Sequence, residues 1–477
     1  MIKFGTDGWR GLIAKDFTYD NLDLVALATA NYIKKNQLKP NKAPSVVIGY
    51  DTRFLSKEFA TEVALICASQ DILVHLTDSF SSTPQVSFHT KQKGADLGII
   101  ITASHNPPEY NGFKLKANFG GPATPEQVAK VEEELNGIQN SKKKNILPKL
   151  QSLDSYIKAK KIKLFNPKDS YIRVLKKKID VEAIKASKLR IVLDPMYGAG
   201  MNTLKTLLPN IEEIHNYINP SFGDLGHPEP IAENLYALKD KVIDGHFDIG
   251  LATDGDADRL GVIDSTGEFI NSHFIYMILL KYLYEKKNKR GTVVKTVSLT
   301  SMVDDYCKSK GIELIETKVG FKYVAELMAI KNKNVLIGGE ESGGLGTILH
   351  IPERDGLFNA LLLLEVMVNR NMSLRELCNE LEKEFGQHRY LRRDVIVTPA
   401  QKKAILAAAE KCPEKLGKHV VTNISTKDGY KFFVKNGWLL IRASGTEPLI
   451  RFYAEADSIG CVIELLDEGI KLAKIKE

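Results

Sequence analysis

Three carboxylates at alternate positions stand in the run Asp254-Gly255-Asp256-Ala257-Asp258-Arg259. On a tight loop Asp254, Asp256 and Asp258 converge and repel one another, so a cation is their natural partner. Their hard oxygens suit Mg²⁺ and leave coordination positions for a phosphate oxygen. A strand-like stretch, 260–263, follows at once and Glu268 falls late, which argues against an EF-hand. Arg259, beside such a site, suits a phosphate. A second run is Thr102-Ala103-Ser104-His105-Asn106-Pro107-Pro108-Glu109-Tyr110-Asn111-Gly112-Phe113-Lys114. It puts Ser104 at a strand end, in a loop fixed by two prolines and opened by a glycine. A serine aimed in this way suits a covalent phosphoryl carrier, with His105 and Lys114 to handle a proton and negative charge.

Two further runs offer ligand-binding groups. In Gly338-Gly339-Glu340-Glu341-Ser342-Gly343-Gly344 the glycines let the backbone approach a ligand, and Glu340 and Ser342 suit sugar hydroxyls. In Arg442-Ala443-Ser444-Gly445-Thr446-Glu447-Pro448, Arg442, Ser444, Thr446 and the loop amides around Gly445 form a nest for a phosphate monoester, with Arg451 just beyond. Each run taken singly also fits something plainer: a surface Ser-His turn, a solvated acidic turn, a glycine-rich turn or a hairpin.

The elements that must position these loops are short apolar strands alternating with helical periodicity. Strands are expected at 46–49, 97–101, 190–193, 249–252, 292–295 and 335–337, and helices at 22–34, 57–69 and 274–286. That alternation predicts layered α/β units with mainly parallel sheets. A weak repeat pairs the strand at 46–51 with 98–104, 190–195 with 249–254, and 292–295 with 335–340. The second strand of each pair enters a polar loop, so three similar units are expected to turn three loops to one cleft. The tail differs: a helix over 399–411, strands at 420–424, 430–434, 438–442 and 449–454, then a helix over 457–474, an α+β pattern. Residues 140–149 look like a surface connector and residues around 385–393 like a hinge.

With 477 residues, the chain is long enough for several domains without staples. Its five cysteines are scattered and form no CxxC, which argues for reduced thiols. No signal-peptide core opens the chain and no apolar run is long enough to span a membrane, so a cytoplasmic protein is expected. The net charge of +7 reflects a lysine-rich surface. The basic runs lack interleaved aromatics, which argues against nucleic acid.

The four runs, in this order and across nearly the whole chain, resemble the α-D-phosphohexomutase superfamily of phosphoglucomutase/phosphomannomutase type. The resemblance implies three α/β domains and a mobile α+β fourth domain, TATA-box-binding-protein-like, around one cleft. The boundaries that follow are 1–148, 149–265, 266–385 and 386–477. It further implies that Ser104 is the phosphoserine and that Asp254, Asp256 and Asp258 bind one Mg²⁺ with it. Glu340 and Ser342 would hold the sugar, and Arg442, Ser444, Gly445, Thr446 and Arg451 the distal phosphate. Arg10, in Gly5-Thr6-Asp7-Gly8-Trp9-Arg10-Gly11, matches an arginine that faces the active site. Gly320-Phe321-Lys322, Glu341 and the segment from His350 to Gly356 resemble the glucose branch and make Lys322 a candidate for phosphate or proton handling. The implied reaction interconverts hexose 1- and 6-phosphates through a hexose 1,6-bisphosphate, with glucose preferred, mannose second and glucosamine as an alternative, in a monomer or homodimer. A sugar phosphatase or an inactive sugar-phosphate binder is the rival class. The first has no need of the sugar and phosphate loops, and the second would be expected to lack Ser104 or an aspartate.

Overall fold

The computed structural model describes residues 2–5, 8–141, 147–330, 333–444 and 449–472. Four sheets follow one another along the chain. The first orders its strands Trp9–Leu12, Tyr110–Ala117, Leu97–Ile101, Ser45–Tyr50, Leu73–Thr77 and Ile162–Phe165, with Gly121–Pro122 beside the second of these. The second orders Phe269–Ile270, Leu260–Asp264, Ile249–Thr253, Ile191–Asp194 and Glu212–Glu213. The third orders Leu314–Thr317, Thr292–Thr296, Val335–Gly339 and Leu345–Thr347. All three are mixed sheets. The fourth is antiparallel throughout, ordered Arg389–Ile396, Leu449–Ala456, Gly437–Ala443, Tyr430–Val434, His419–Ser425 and Lys415–Leu416.

The repeat read from the sequence is structural. Val46 lies opposite Leu97, Ile191 opposite Ile249 and Thr292 opposite Val335, each in a parallel pair. The second strand of each pair leaves through a polar loop, and the chain returns as an antiparallel neighbour: Tyr110–Ala117, Leu260–Asp264 or Leu345–Thr347. Every residue of the three outgoing strands is buried. Layers on both faces require such unbroken apolar runs.

Two expectations need correction. The strand Ile162–Phe165 pairs with Leu73–Thr77 in the first sheet, so that sheet takes in chain beyond residue 148. Its two central residues are exposed, and a short half-solvated edge gives little apolar signal. The hinge expected around 385–393 is narrower. Arg389–Ile396 pairs along its whole length with Leu449–Ala456, which leaves 386–388 as the joint. Its three arginines and one aspartate disguise an edge strand. Much of the connector expected over 140–149 lies outside the described residues. Among the described residues no helix is long and apolar enough to cross a membrane.

The helix Gly356–Arg370 is apolar almost all round because it is enclosed, packing on Ile249–Thr253, Leu260–Asp264 and the helix Ser272–Lys281. Leu361, Leu362, Leu363 and Leu364 have no exposure, and each such burial is worth roughly 1.5–3 kcal/mol. Its cap Asp355 accepts from the Phe358 amide and from the Tyr171 hydroxyl at 2.7 Å, with His350 Nε2 at 3.0 Å. Glu353 beside it accepts from Ser87 Oγ at 2.7 Å and Lys116 Nζ at 3.0 Å, both in the first unit. These bonds tie the first three units into one frame.

The fourth sheet has two buried faces. Phe432, Leu439, Ile441, Ile450 and Phe452 form a core with Ile405 of Pro399–Glu410 and Leu465 of Ile459–Leu472. Trp438, Leu440 and Tyr453 meet Val297 and Val319 of the third unit. Lys431 runs through this seam, its Nζ donating to the Val297 carbonyl at 2.7 Å and lying 4.1 Å from the Trp438 ring centre. Burial, with Lys295 nearby, brings its ammonium from 10.5 down to about 8. Between those values the unfolded chain holds the extra proton, so this group makes stability rise with pH. Urea unfolding from about pH 7 to about pH 10 is expected to show Lys431→Met losing stability relative to wild type across that span. Parallel curves would mean that the buried amine keeps its ordinary affinity for protons.

Candidate active site

Ser104 follows the strand Leu97–Ile101 and takes the left-handed conformation, φ 55°. For a residue with a side chain this costs on the order of 1 kcal/mol. The amide of Ser104 donates to Thr102 Oγ1 at 2.9 Å, and the turn is closed by Asn106 N to Ala103 O and Tyr110 N to Pro107 O. Gly112 is needed because a Cβ there would stand 2.5 Å from the Thr102 carbonyl.

The metal-type loop leaves Ile249–Thr253 in the equivalent place. The amides of Asp258 and Arg259 both donate to Asp254 Oδ1, at 2.9 and 3.0 Å, which winds the loop tightly. Gly255 lets it press against the serine loop, since a Cβ would meet the Ser104 carbonyl at 2.5 Å. The result is that Ser104 Oγ donates to Asp254 Oδ2 at 2.9 Å, across 150 residues of sequence.

Asp254, Asp256 and Asp258 are fully buried, and one oxygen from each lies within 4.8 Å of the others. Burial, then repulsion from Asp258 and Asp256, pushes the Asp254 carboxyl far above its usual range. Burial pushes Asp258 up to about 6 against the pull of Arg354. For Asp256 burial is outweighed by Lys114, whose Nζ lies 2.9 Å from Oδ2, and by the Thr83 hydroxyl, so it stays ionised. Asp256 Oδ1 and Asp258 Oδ1 are buried with no hydrogen-bond partner. Orphaned carboxylate oxygens are costly unless something cationic meets them.

Around this centre stand the other expected residues. His105 Nδ1 is 3.4 Å from Ser104 Oγ and its Nε2 is 4.0 Å from Glu229. Burial, then the Arg259 charge, holds the imidazole neutral. Arg259 donates to Glu229 Oε1 at 2.8 Å, and its buried Nε has no hydrogen-bond partner. Arg10, opposite Gly112 in the sheet, donates to Asn106 Oδ1 of the serine loop. Glu340 follows the strand Val335–Gly339, its carboxylate 2.9 Å from Arg354, and Ser342 Oγ is buried without a hydrogen-bond partner. Lys322 belongs to the third unit. It lies in the first turn of Phe321–Ala329, its ammonium 5.3 Å from the Tyr323 ring centre.

In the fourth unit Arg442 and Arg451 are direct neighbours across antiparallel strands. Like charges placed so repel. Arg442 Nε donates to Asp428 at 2.7 Å, Arg451 Nε is 3.5 Å from Asp394, and the Ser444 carbonyl accepts from Lys402. Gly445 and Thr446 lie outside the described residues, as do Thr6 and Asp7 of the run around Arg10.

Four models of the phosphoglucomutase/phosphomannomutase family match the chain in order: the alpha/beta/alpha domains I at 1–142, II at 169–267 and III at 271–385, and the C-terminal domain at 395–468. A phosphoglucomutase/phosphomannomutase of Thermococcus kodakarensis is 34% identical over 98% of both chains. The chain belongs to the phosphoglucomutase/phosphomannomutase family. As a phosphohexomutase it is an isomerase. A Pyrococcus abyssi protein assigned as a phosphoglucosamine mutase is 33% identical over 99% of this chain and 97% of its own. The crystal structure of a Thermus thermophilus protein assigned as a phosphomannomutase superposes with a TM-score of 0.85, at 32% identity and 99% coverage of both chains.

Sequence reasoning missed several residues that build this phosphohexomutase site. Thr83 grips Asp256 twice, through its hydroxyl and through its amide at 2.9 Å. Arg354 bridges Glu340 and Asp258 and so joins the sugar-type and metal-type loops. Glu229 holds Arg259, and Asp428 holds Arg442. A signal existed for one of them: the capping pair Ser82 and Gln85 marks the helix start at which Thr83 sits.

Proposed function

We propose that the chain interconverts hexose 1-phosphate and hexose 6-phosphate, glucose most readily, through a phosphoserine at Ser104 and a hexose 1,6-bisphosphate. The observation that carries this reading is Ser104 Oγ, 2.9 Å from Asp254, beside the two orphaned oxygens of Asp256 and Asp258. All-oxygen donors, full burial and surplus negative charge fit one Mg²⁺ per chain. When bound, that ion would neutralise charge on the phosphoserine oxygens and lower the barrier to transfer.

The sugar hydroxyl attacks the phosphoserine phosphorus, forming a new P–O bond as the bond to Ser104 Oγ breaks. The proton of the attacking hydroxyl ends on Ser104 Oγ as that oxygen leaves, and His105, neutral and 3.4 Å from Ser104 Oγ, is placed to relay it. Lys114 fixes Asp256, and Arg10 and Arg259 stand ready to meet phosphate oxygens. The bisphosphate then turns over, and its other phosphate returns to Ser104. Glu340 and Ser342 hold sugar hydroxyls in both orientations. Arg442, Ser444, Gly445, Thr446 and Arg451 hold the phosphate that is not reacting, with the fourth unit closing to exclude water.

The adjacent Arg442 and Arg451 support the phosphate role, because an anion relieves their repulsion. Arg442→Ala is expected to raise KM for the sugar phosphate about ten- to a hundred-fold, while added bisphosphate still phosphorylates Ser104. Steady-state kinetics and intact-mass measurement check this. An unchanged KM would make Arg442 a hairpin residue only.

Glucosamine is the second reading, favoured by the Pyrococcus abyssi relative's assignment at nearly the same identity as the first relative. Comparing kcat/KM for glucose, mannose and glucosamine 1-phosphates, with free phosphate followed in the same assay, decides between them. A higher value for glucosamine would overturn the glucose preference. Phosphate release without isomerisation would overturn the mutase reading.

A further inference from the structure

Arg53 lies just beyond the strand Ser45–Tyr50, which runs parallel to and beside the strand that ends at the serine loop. Its side chain is buried, at 3% exposure, and forks into that loop. Nη1 donates to the carbonyls of Pro107 at 2.8 Å and Tyr110 at 3.1 Å. Nη2 donates to the carbonyls of Ser104 at 2.7 Å and Asn106 at 2.5 Å. The fork is aimed from behind. Asp51 Oδ2 stands 3.3 Å from Nε, while Asp51 Oδ1 accepts from Ser56 Oγ and from the Arg53 amide. The Phe222 ring of the second unit closes over the guanidinium at 4.8 Å. One side chain therefore gathers four carbonyls of a loop whose serine holds a left-handed backbone, and the metal-type loop rests on the same Ser104 carbonyl.

We propose that Arg53 is a positioning residue for phosphoryl transfer: it fixes the backbone of the serine loop so that Ser104 Oγ meets the carboxylate cluster in line. This rests on Ser104 being the phosphoryl carrier. The guanidinium faces carbonyls and touches no reacting atom, so its loss acts on the transfer step and leaves substrate affinity nearly alone. A lysine cannot replace it, because a single ammonium cannot span four acceptors in one plane.

The test uses the full chain with Arg53→Ala and Arg53→Lys, each checked for fold by circular dichroism and thermal unfolding. Readouts are kcat, KM and the rate at which glucose 1,6-bisphosphate phosphorylates Ser104, followed by intact mass. A misplacement of about 1 Å is worth about 100-fold in rate, so kcat and the phosphorylation rate are expected to fall about 100-fold in both variants, with KM within about threefold. Millimolar guanidinium should recover about tenfold of the loss in Arg53→Ala and nothing in Ser104→Ala or the wild type. Either variant keeping kcat within about threefold of wild type overturns the proposal. So does a loss that tracks the unfolded fraction, or one that guanidinium does not relieve while Arg53→Lys restores it. Full activity in Ser104→Ala would overturn the phosphoserine reading instead, which keeps the two failures distinct.

Discussion

Replacing Ser104 with alanine is expected to lower mutase turnover by at least about four orders of magnitude, even with saturating bisphosphate. Alanine removes the Oγ that lies 2.9 Å from Asp254 and changes little else, because the backbone bonds of the loop do not involve the hydroxyl. The two hydroxyls that bond to these loops nearby are already engaged. Thr102 Oγ1 accepts from the Ser104 amide, and the Thr83 hydroxyl is committed to Asp256. Intact-mass measurement should find one phosphate on wild type after incubation with bisphosphate and none on the variant. Turnover near the wild-type level in a folded Ser104→Ala would refute Ser104 as carrier.

Asp256→Asn comes next in expected size, with turnover lower by at least about two orders of magnitude and the Mg²⁺ needed for half-maximal activity raised. The side chain keeps its shape, but the cluster loses the carboxylate that remains charged in spite of burial. Lys114, fully buried and 2.9 Å from that carboxylate, loses a counter-charge at the same time. Removing one partner of a buried pair can cost about 3–5 kcal/mol, an upper bound here because Asp258 stays 3.9 Å from Lys114, so thermal unfolding must accompany the kinetics. Mg²⁺ titrations of activity separate the two effects. Wild-type activity that survives exhaustive chelation would sink the metal assignment.

Short-range pattern made the strand cores legible and marked where the loops begin. Ser104 and the three aspartates stood out because their chemistry is written within a few consecutive positions. What long-range contact decides was hidden. Thr83 meets Asp256 across 173 residues, and Arg354 meets Asp258 across 96. Nothing near Thr83 or Arg354 in sequence announces the partner. Edge strands failed for another reason. Ile162–Phe165 and Arg389–Ile396 face water along much of their length, so their residues follow solvent and not the sheet. Lys322 stands at a helix start, with its ammonium 5.3 Å from the neighbouring Tyr323 ring centre.

The two tryptophans are both buried but sit in different units. Trp9 stacks on Phe17 at 4.6 Å in the core of the first unit, inside the rigid frame. Trp438 is sealed in the seam between the third and fourth units, with Lys431 over its ring and Glu455 on its indole nitrogen. A swing of the fourth unit of the kind proposed above would wet Trp438 and leave Trp9 dry. Trp438 would then serve as an optical gauge of the proposed closure. Once Trp9 is silenced, the colour of the remaining emission would report whether the joint is open or shut, with no dye attached.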